Sequence, residues 1–152
     1  MNRPNQEHSH AGASIYKRDN GYFIHAEDKT NVGAWIASPP CTELPLSAQS
    51  EELAEAVKKH LQESKKIEHP REFKGLFDFV LKKANVNSIK KFMLNCKHCS
   101  ITQTGEKLIF SSSINLGSKG FSCTNDPAIE LGKESSLKEI GKAVYDAINR
   151  SK

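Results

Sequence analysis

The sequence lacks the features that usually identify membrane, secreted and disulfide-rich proteins. No apolar run in its 152 residues approaches the roughly 18 residues of a membrane-spanning helix, and the polar N-terminus has no apolar secretion signal. Its four cysteines are spaced too irregularly for a disulfide framework. These absences predict a cytoplasmic protein with reduced thiols and no membrane partner.

Motifs that carry chemistry are also scarce. Cys96-Lys-His-Cys99 has a metal-like spacing, but a zinc site normally needs four ligands, and in a strand these two thiols would point to opposite faces. A nucleophilic site would have to combine a cysteine with His25, His60 or His69, and nothing in the sequence brings them together. We therefore predict no catalytic residues, no metal, no cofactor and no enzymatic activity.

Composition and length are typical of one globular domain. Hydrophobic residues make up 37% of the chain and charged residues 26%, as in soluble proteins of this size. Residues 1–13 are polar and aperiodic, which predicts a disordered leader. The domain is therefore expected over residues 14–152.

Strand patterns dominate the first third of the chain. Aromatic and β-branched residues predict two strands within residues 14–26, joined by the hairpin signal Asn20-Gly21. A polar turn and a third strand over residues 32–38 should follow. Pro39-Pro40 is expected to end that strand, because proline cannot donate to a ladder. Short connections predict an antiparallel meander.

Helical periodicity appears over residues 47–66, 73–84 and 136–149, and the last segment begins with a Ser136…Glu139 capping box. Residues 92–131 again show strand patterns. This order of strands, helices, strands and helix predicts an α+β fold. We expect a single domain with a mainly antiparallel sheet and about three helices.

The net charge of +4 is local. Residues 73–100 carry six lysines and one aspartate, whereas residues 1–72 carry a small acidic excess. A basic segment is typical of a solvated surface, but it can also attract nucleic acid. A nucleic-acid-binding module using residues 74–97 is therefore the alternative function, although no RNP-like or GXXG motif supports it.

Two longer segments, together with the strand residues Ile15-Tyr16 and Tyr22-Phe23-Ile24, suggest a family. They are T-N-V-G-A-W-I-A-S-P-P-C-T-E-L at residues 30–44 and S-L-K-E-I-G-K-A-V-Y-D-A-I at residues 136–148. With them the chain resembles contact-dependent growth inhibition (CDI) immunity proteins, small bacterial proteins encoded beside a toxic surface effector. The resemblance implies a 1:1 inhibitor that binds the C-terminal toxin domain of its cognate effector and blocks the active site. It also implies that the toxin is a nuclease, with an RNase favoured.

The resemblance transfers no binding residue by position, so contact candidates come from charge. Acidic side chains complement the cationic cleft of a nuclease, and acidic residues are in excess in the first half of the chain. Tyr22 and Trp35 are candidate aromatic anchors, although a core position is favoured for Trp35. The predicted toxin-binding residues are Tyr22, Glu27, Asp28, Glu43, Glu51, Glu52 and Glu55.

Overall fold

The computed structural model describes residues 10–152, except for the side chain of Ser118. The strands are β1 (His10–Arg18), β2 (Gly21–Thr30), β3 (Trp35–Leu44), β4 (Lys66–Ile67), β5 (Lys97–Thr104), β6 (Lys107–Asn115), β7 (Phe121–Cys123) and β8 (Ile129–Gly132). The helices are α1 (Ser50–Glu63), α2 (Asp78–Lys83), α3 (Ile89–Phe92) and α4 (Leu137–Arg150). None of the helices in this described part is long and apolar enough to cross a membrane.

All eight strands belong to one sheet, in the order β3-β2-β1-β5-β6. Strands β7 and β8 pair with different parts of β6, and β4 pairs with the end of β2. Every pairing is antiparallel except the short contact between β2 and β4. The predicted α+β class and mainly antiparallel sheet are confirmed.

Strand β1 begins four residues before the predicted start of the domain at residue 14. His10 pairs with Thr104 of β5, and Gly12 pairs with both Thr102 of β5 and Glu27 of β2. The rest of the predicted leader, residues 1–9, lies outside the described residues.

Two strand ends, those of β2 and β3, differ from the sequence-based prediction. Strand β2 continues to Thr30 where a polar turn was expected, and β3 runs through Pro39-Pro40 instead of ending there. His25 pairs with Cys41 while the next residue, Ala26, pairs with Ser38, so the two prolines form a bulge. Proline is tolerated there because β3 is an edge strand and a bulge needs no regular ladder bonds.

The helices agree with the periodicity to different degrees. Helix α4 begins as predicted: the Ser136 hydroxyl accepts from the backbone N–H of Glu139 at 3.2 Å. Helix α1 is shorter than the predicted range of 47–66. The predicted helix over 73–84 is reduced to α2, because Gly75 has a φ of +81°. Residues 92–97, predicted as strand, instead contain the end of α3.

The sheet has a different cover on each face. The main core lies between one face and helices α1 and α4, and joins Ile15, Ile24 and Phe110 to Val57 and Val144. A second core lies on the opposite face, where residues 77–96 and Phe121 pack on Tyr16 and Phe23.

Gly141 allows α4 to approach the start of α1, because a Cβ atom there would lie 2.5 Å from the Ser50 carbonyl oxygen. Gly141→Ala should cost about 1–3 kcal/mol through overpacking, partly offset by about 1 kcal/mol of helix propensity. We expect a Tm lower by a few degrees, since 1 kcal/mol corresponds to about 2–4 °C at this size. Gly132→Ala, with no atom within 4 Å of its added Cβ, is the control. Equal Tm values for both variants would contradict this helix contact.

Candidate functional site

Two of the seven predicted toxin-binding residues are buried. Tyr22 is 3% exposed and packs in the main core. Asp28 is 4% exposed; its Oδ1 accepts from the backbone N–H of Lys65 at 3.0 Å, and its Oδ2 lies 3.5 Å from Lys65 Nζ. The alternation of β2 directs both side chains toward the α1 side of the sheet. Neither is available at the surface of the folded protein.

Four of the predicted residues are exposed carboxylates. Glu43 lies on the edge strand β3, whereas Glu51, Glu52 and Glu55 lie in the first half of α1 and form what we call the acidic helix surface. Glu52 also has a structural role, since its Oε1 accepts from the backbone N–H of Gln49 at 2.9 Å. Glu51 and Glu55 are therefore the members that can be changed without removing a helix cap.

The seventh residue, Glu27, lies on the opposite face of the sheet from α1. It opens onto a cavity of about 270 Å³, which we call the sheet recess. Three neighbouring strands and the start of β3 surround this recess. Its main lining residues are Gly12, Ser14, Glu27, Trp35, His98 and Ser100.

Trp35 forms one wall of the sheet recess. It is half-buried and belongs to neither core, so the favoured core position is corrected. The indole reaches across β2 to Gly12, where an added Cβ would lie 2.8 Å from Trp35 Cζ3. Lys29 Nζ lies 5.5 Å from the ring centroid, within the range of a cation–π interaction. Gly12 thus makes room for the aromatic wall.

A chain of hydrogen bonds runs from the sheet recess into the sheet. The Ser14 hydroxyl donates to Glu27 Oε1, so with Glu27 ionised it has no hydrogen left for His98. His98 Nε2, 3.0 Å from Ser14 Oγ, must then be the donor. His98 Nδ1 accepts from the Ser113 hydroxyl at 2.7 Å. These contacts define His98 as a neutral imidazole with its proton on Nε2.

Burial is the main cause of the pKa shifts of the groups in this hydrogen-bond chain. It lowers the pKa of His98 to about 3 and raises the pKa of Glu27, an increase that the Ser14 hydrogen bond opposes and the nearby Asp28 charge supports. A general base works best with a pKa near the working pH. A His98 pKa this low makes the imidazole a weak general base at neutral pH.

A second buried histidine lies nearby on the same face. His25 Nδ1 donates to the carbonyl oxygen of Ala26 at 2.8 Å, so Nε2 accepts from the Tyr16 hydroxyl at 3.0 Å. Burial lowers the pKa of His25 to about 4 and raises that of Tyr16 well above its usual value. Both groups are neutral parts of the packed sheet.

The two thiols of the C-x-x-C motif lie on opposite faces of the sheet, although only Cys99 is in a strand, because Cys96 precedes β5. Cys99 belongs to the main core and Cys96 to the second core. Burial raises both thiol pKa values to about 12, so neither is a thiolate at neutral pH. Over residues 10–152, no group of three or more His, Cys, Asp or Glu side chains could hold a metal ion.

The lysines of the basic segment are all exposed, and we call them the basic surface. Lys82 and Lys91 line an open cleft of about 660 Å³ together with Asp78, Asn85 and Asn87. The members of the basic surface are Lys74, Lys82, Lys83, Lys90, Lys91 and Lys97.

Sequence reasoning identified Glu27 and Trp35 but missed their neighbours in the sheet recess. Ser14 and His98 are 84 residues apart, and their contact depends on the pairing of β1 with β5. One signal was present: Ser14 is a polar residue between Ala13 and Ile15, which indicates that the second face of β1 is not a continuous apolar core.

The sheet, with helices α1 and α4 on one face and the second core and the sheet recess on the other, defines a small α+β protein. The family model of CDI immunity proteins, CdiI, matches residues 11–151. The chain therefore belongs to the CDI immunity protein family.

Two solved structures have a similar fold. A protein of unknown function from Neisseria meningitidis has a TM-score of 0.80 and 16% identity, with 100% of both chains covered. A chain of a CdiA-CT/CdiI toxin and immunity complex from Yersinia pseudotuberculosis has a TM-score of 0.76 and 13% identity, covering 94% of this chain and 98% of that one. At these identities the likeness shows the fold alone. No curated protein matches the sequence.

The buried histidines predict that acid destabilises the fold. Unfolded histidines titrate near pH 6.5, whereas the pKa values of folded His25 and His98 are about 4 and 3. Below pH 6.5 the unfolded chain binds more protons, so lowering the pH from 7 to 5 should remove on the order of 2 kcal/mol per histidine. Glu27 acts in the opposite direction, because its folded pKa is raised.

Thermal unfolding followed by circular dichroism at pH 7, 6 and 5 measures this effect. We expect Tm to fall toward pH 5, and His98→Gln should flatten that slope. His69→Gln changes an exposed histidine and should retain the wild-type slope. A Tm that is independent of pH over this range would contradict the burial of neutral histidines.

Proposed function

We propose that this chain neutralises the C-terminal toxin domain of one cognate CDI effector in the cytoplasm, by forming a 1:1 complex that covers the toxin's active site. We further propose that the toxin is a nuclease, with an RNase the favoured activity. The family match over residues 11–151 carries the proposal. The fold likeness to a chain of a toxin and immunity complex supports it.

Inhibition by binding, without catalysis, is the mechanism that the described residues support. The Ser and His side chains in contact are buried, and His98 has a pKa of about 3. A protein that acts by binding needs an accessible surface with complementary shape and charge. The exposed carboxylates and the sheet recess supply such a surface.

We propose that exposed acidic residues attract the toxin. The substrate of a nuclease is a polyanion, so its cleft is expected to be cationic. Because Tyr22 and Asp28 are buried, Glu43 and the acidic helix surface carry this role, and Glu27 remains a candidate within the sheet recess. Strand β3 lies at the edge of the sheet. A partner that covers this edge would therefore contact both the face with the acidic helix surface and the face with the sheet recess.

The function is tested with the toxin domain encoded by the neighbouring effector gene. Expression of that domain alone should stop bacterial growth, and co-expression of this chain should restore it. The purified proteins should form a 1:1 complex by size-exclusion chromatography with light scattering. Continued growth arrest, with no complex at micromolar concentration, would refute the proposal.

Charge reversal tests the acidic helix surface. The double variant Glu51→Lys/Glu55→Lys should slow association with the toxin domain by roughly tenfold at low salt, because complementary charge accelerates encounter. The difference in association rate between the variant and wild type should shrink in 0.5 M salt, because the Debye length there is only about 4 Å. Stopped-flow or biosensor kinetics at both salt concentrations measure the effect.

The control for this experiment is Asp126→Lys/Glu134→Lys, which reverses two exposed acidic residues elsewhere and changes the net charge equally. A smaller effect of the control is expected. If both double variants slow association to the same extent, net charge alone explains the result and the acidic helix surface is not the attracting surface.

The basic surface favours a second candidate function, binding of nucleic acid. Lys82 and Lys91 flank the same open cleft, and such a site should bind generic RNA with an affinity that falls steeply as salt rises. If this function is real, Lys82→Glu/Lys91→Glu should remove most of that binding in a fluorescence anisotropy titration. Absence of RNA binding by the wild type at low salt would reject it.

A further inference from the structure

Glu27 is a partly buried carboxylate to which no cation of residues 10–152 is paired. Its Oε1 accepts from Ser14, and none of the ion pairs found over residues 10–152 includes Glu27. Lys29 lies next to the recess but forms no ion pair with it. Carboxylates removed from water are normally paired, because an isolated charge in a low-dielectric environment is costly. Among residues 10–152, the negative charge of Glu27 is therefore not balanced by a neighbouring cation, so a cation that enters the sheet recess would find an unpaired carboxylate.

The remaining walls of the sheet recess suit a planar cation. Trp35 presents an aromatic ring, and Lys29 Nζ, 5.5 Å from its centroid, shows that a cation can lie against this ring. Ser100 and Thr102 line the other side. Within the described part of the chain, no hydrogen bond occupies the hydroxyl of either residue, so both can accept from an entering donor.

The volume of the sheet recess is suited to one entering side chain. The cavity measures about 270 Å³, and Gly12 keeps it open, because any Cβ there would collide with the indole. The Glu27 carboxylate disfavours an anion such as a phosphate group. A purely apolar side chain would leave the Glu27 carboxylate with only its Ser14 hydrogen bond and would offer no donor to the two hydroxyls, which is costly in a desolvated site.

We propose that the sheet recess receives one arginine side chain of the toxin domain, whose guanidinium pairs with Glu27 and packs against Trp35. This inference rests on the proposed function. Arginine suits the recess better than lysine, since its guanidinium is planar, weakly hydrated, able to stack on an aromatic ring and equipped with several donors. Buried anchors of this kind mainly control dissociation, whereas exposed charges control association.

The first experiment measures dissociation of the complex with the cognate toxin domain. Glu27→Gln and Trp35→Leu should each increase the dissociation rate by at least about tenfold, as expected when one partner of a buried charged contact is removed. Glu72→Gln, an exposed glutamate distant in sequence from the recess residues, is the matched control and should stay within about twofold of wild type.

Thermal unfolding separates loss of an anchor from loss of the fold. The glutamine amide oxygen of Glu27→Gln still accepts from Ser14, and the substitution removes a carboxylate whose pKa is raised by burial. The Tm of this variant at pH 7 should therefore equal or exceed that of wild type, and the difference should shrink as the pH falls. Faster dissociation without a lower Tm is the signature of a binding residue.

The second experiment needs no toxin. Trp35 is the only tryptophan in the chain, so its fluorescence reports on the sheet recess. N-acetyl-argininamide in the millimolar range should produce a saturable change in wild type. The neutral analogue N-acetyl-citrullinamide should not, and Glu27→Gln should abolish the arginine response.

The outcomes distinguish the two proposals. If the wild type neither binds nor neutralises the toxin, the proposed function fails, and the argininamide titration still tests the recess by itself. If the wild type protects cells but Glu27→Gln dissociates within twofold of the wild-type rate, the recess proposal is overturned and the function stands. An argininamide response that persists in Glu27→Gln also overturns it.

Discussion

The pairing of β1 with both β2 and β5 is the interaction on which the rest of the structure depends. It joins the N-terminal meander to the strands of the second half, with Ile15 opposite both Ile24 and Cys99. Because side chains alternate along a strand, this one segment serves both faces. Ala13 and Ile15 enter the main core, whereas Ser14 and Tyr16 carry the polar contacts of the other face.

The two faces of the sheet differ in polarity. The face covered by α1 and α4 is apolar and closely packed, as Gly141 against the Ser50 carbonyl shows. The opposite face combines a second core with a polar region around Glu27, whose pKa is raised by burial. The hydrogen bond from Ser14 offsets only part of the desolvation of this carboxylate, and a neutral residue at position 27 would avoid that desolvation cost. Such a local conflict is expected at functional sites, where stability and activity compete.

The sequence predicted correctly those features that depend only on residues close together in the chain. The capping box of Ser136 and Glu139 and the apolar stripe of α4 depend on residues within one helix, and the structure has both. The Asn20-Gly21 signal marked a real hairpin, but Gly21 pairs with Arg18, so the two turn residues are Asp19 and Asn20. Features decided by tertiary structure were missed. Continuation of β3 through Pro39-Pro40 depends on its position at the sheet edge, which periodicity does not reveal.

The candidate site likewise combines residues that the sequence identified with features that only the tertiary structure reveals. Charge and aromatic content pointed to Glu27 and Trp35, but burial of Tyr22 depends on α1 packing over β2. The sheet recess could not be assembled from sequence, because its residues come from β1, β2, β3 and β5, which only the strand register brings together.

The distribution of the four cysteines has a consequence for chemical labelling. Cys41, Cys96 and Cys99 are buried, and burial raises their pKa values to about 12, whereas Cys123 on β7 is exposed. Alkylating reagents attack thiolates, so a maleimide dye should modify one position of the folded protein without any engineered substitution. The natural chain thus carries a single exposed thiol, Cys123 on β7, to which a spectroscopic probe can be attached.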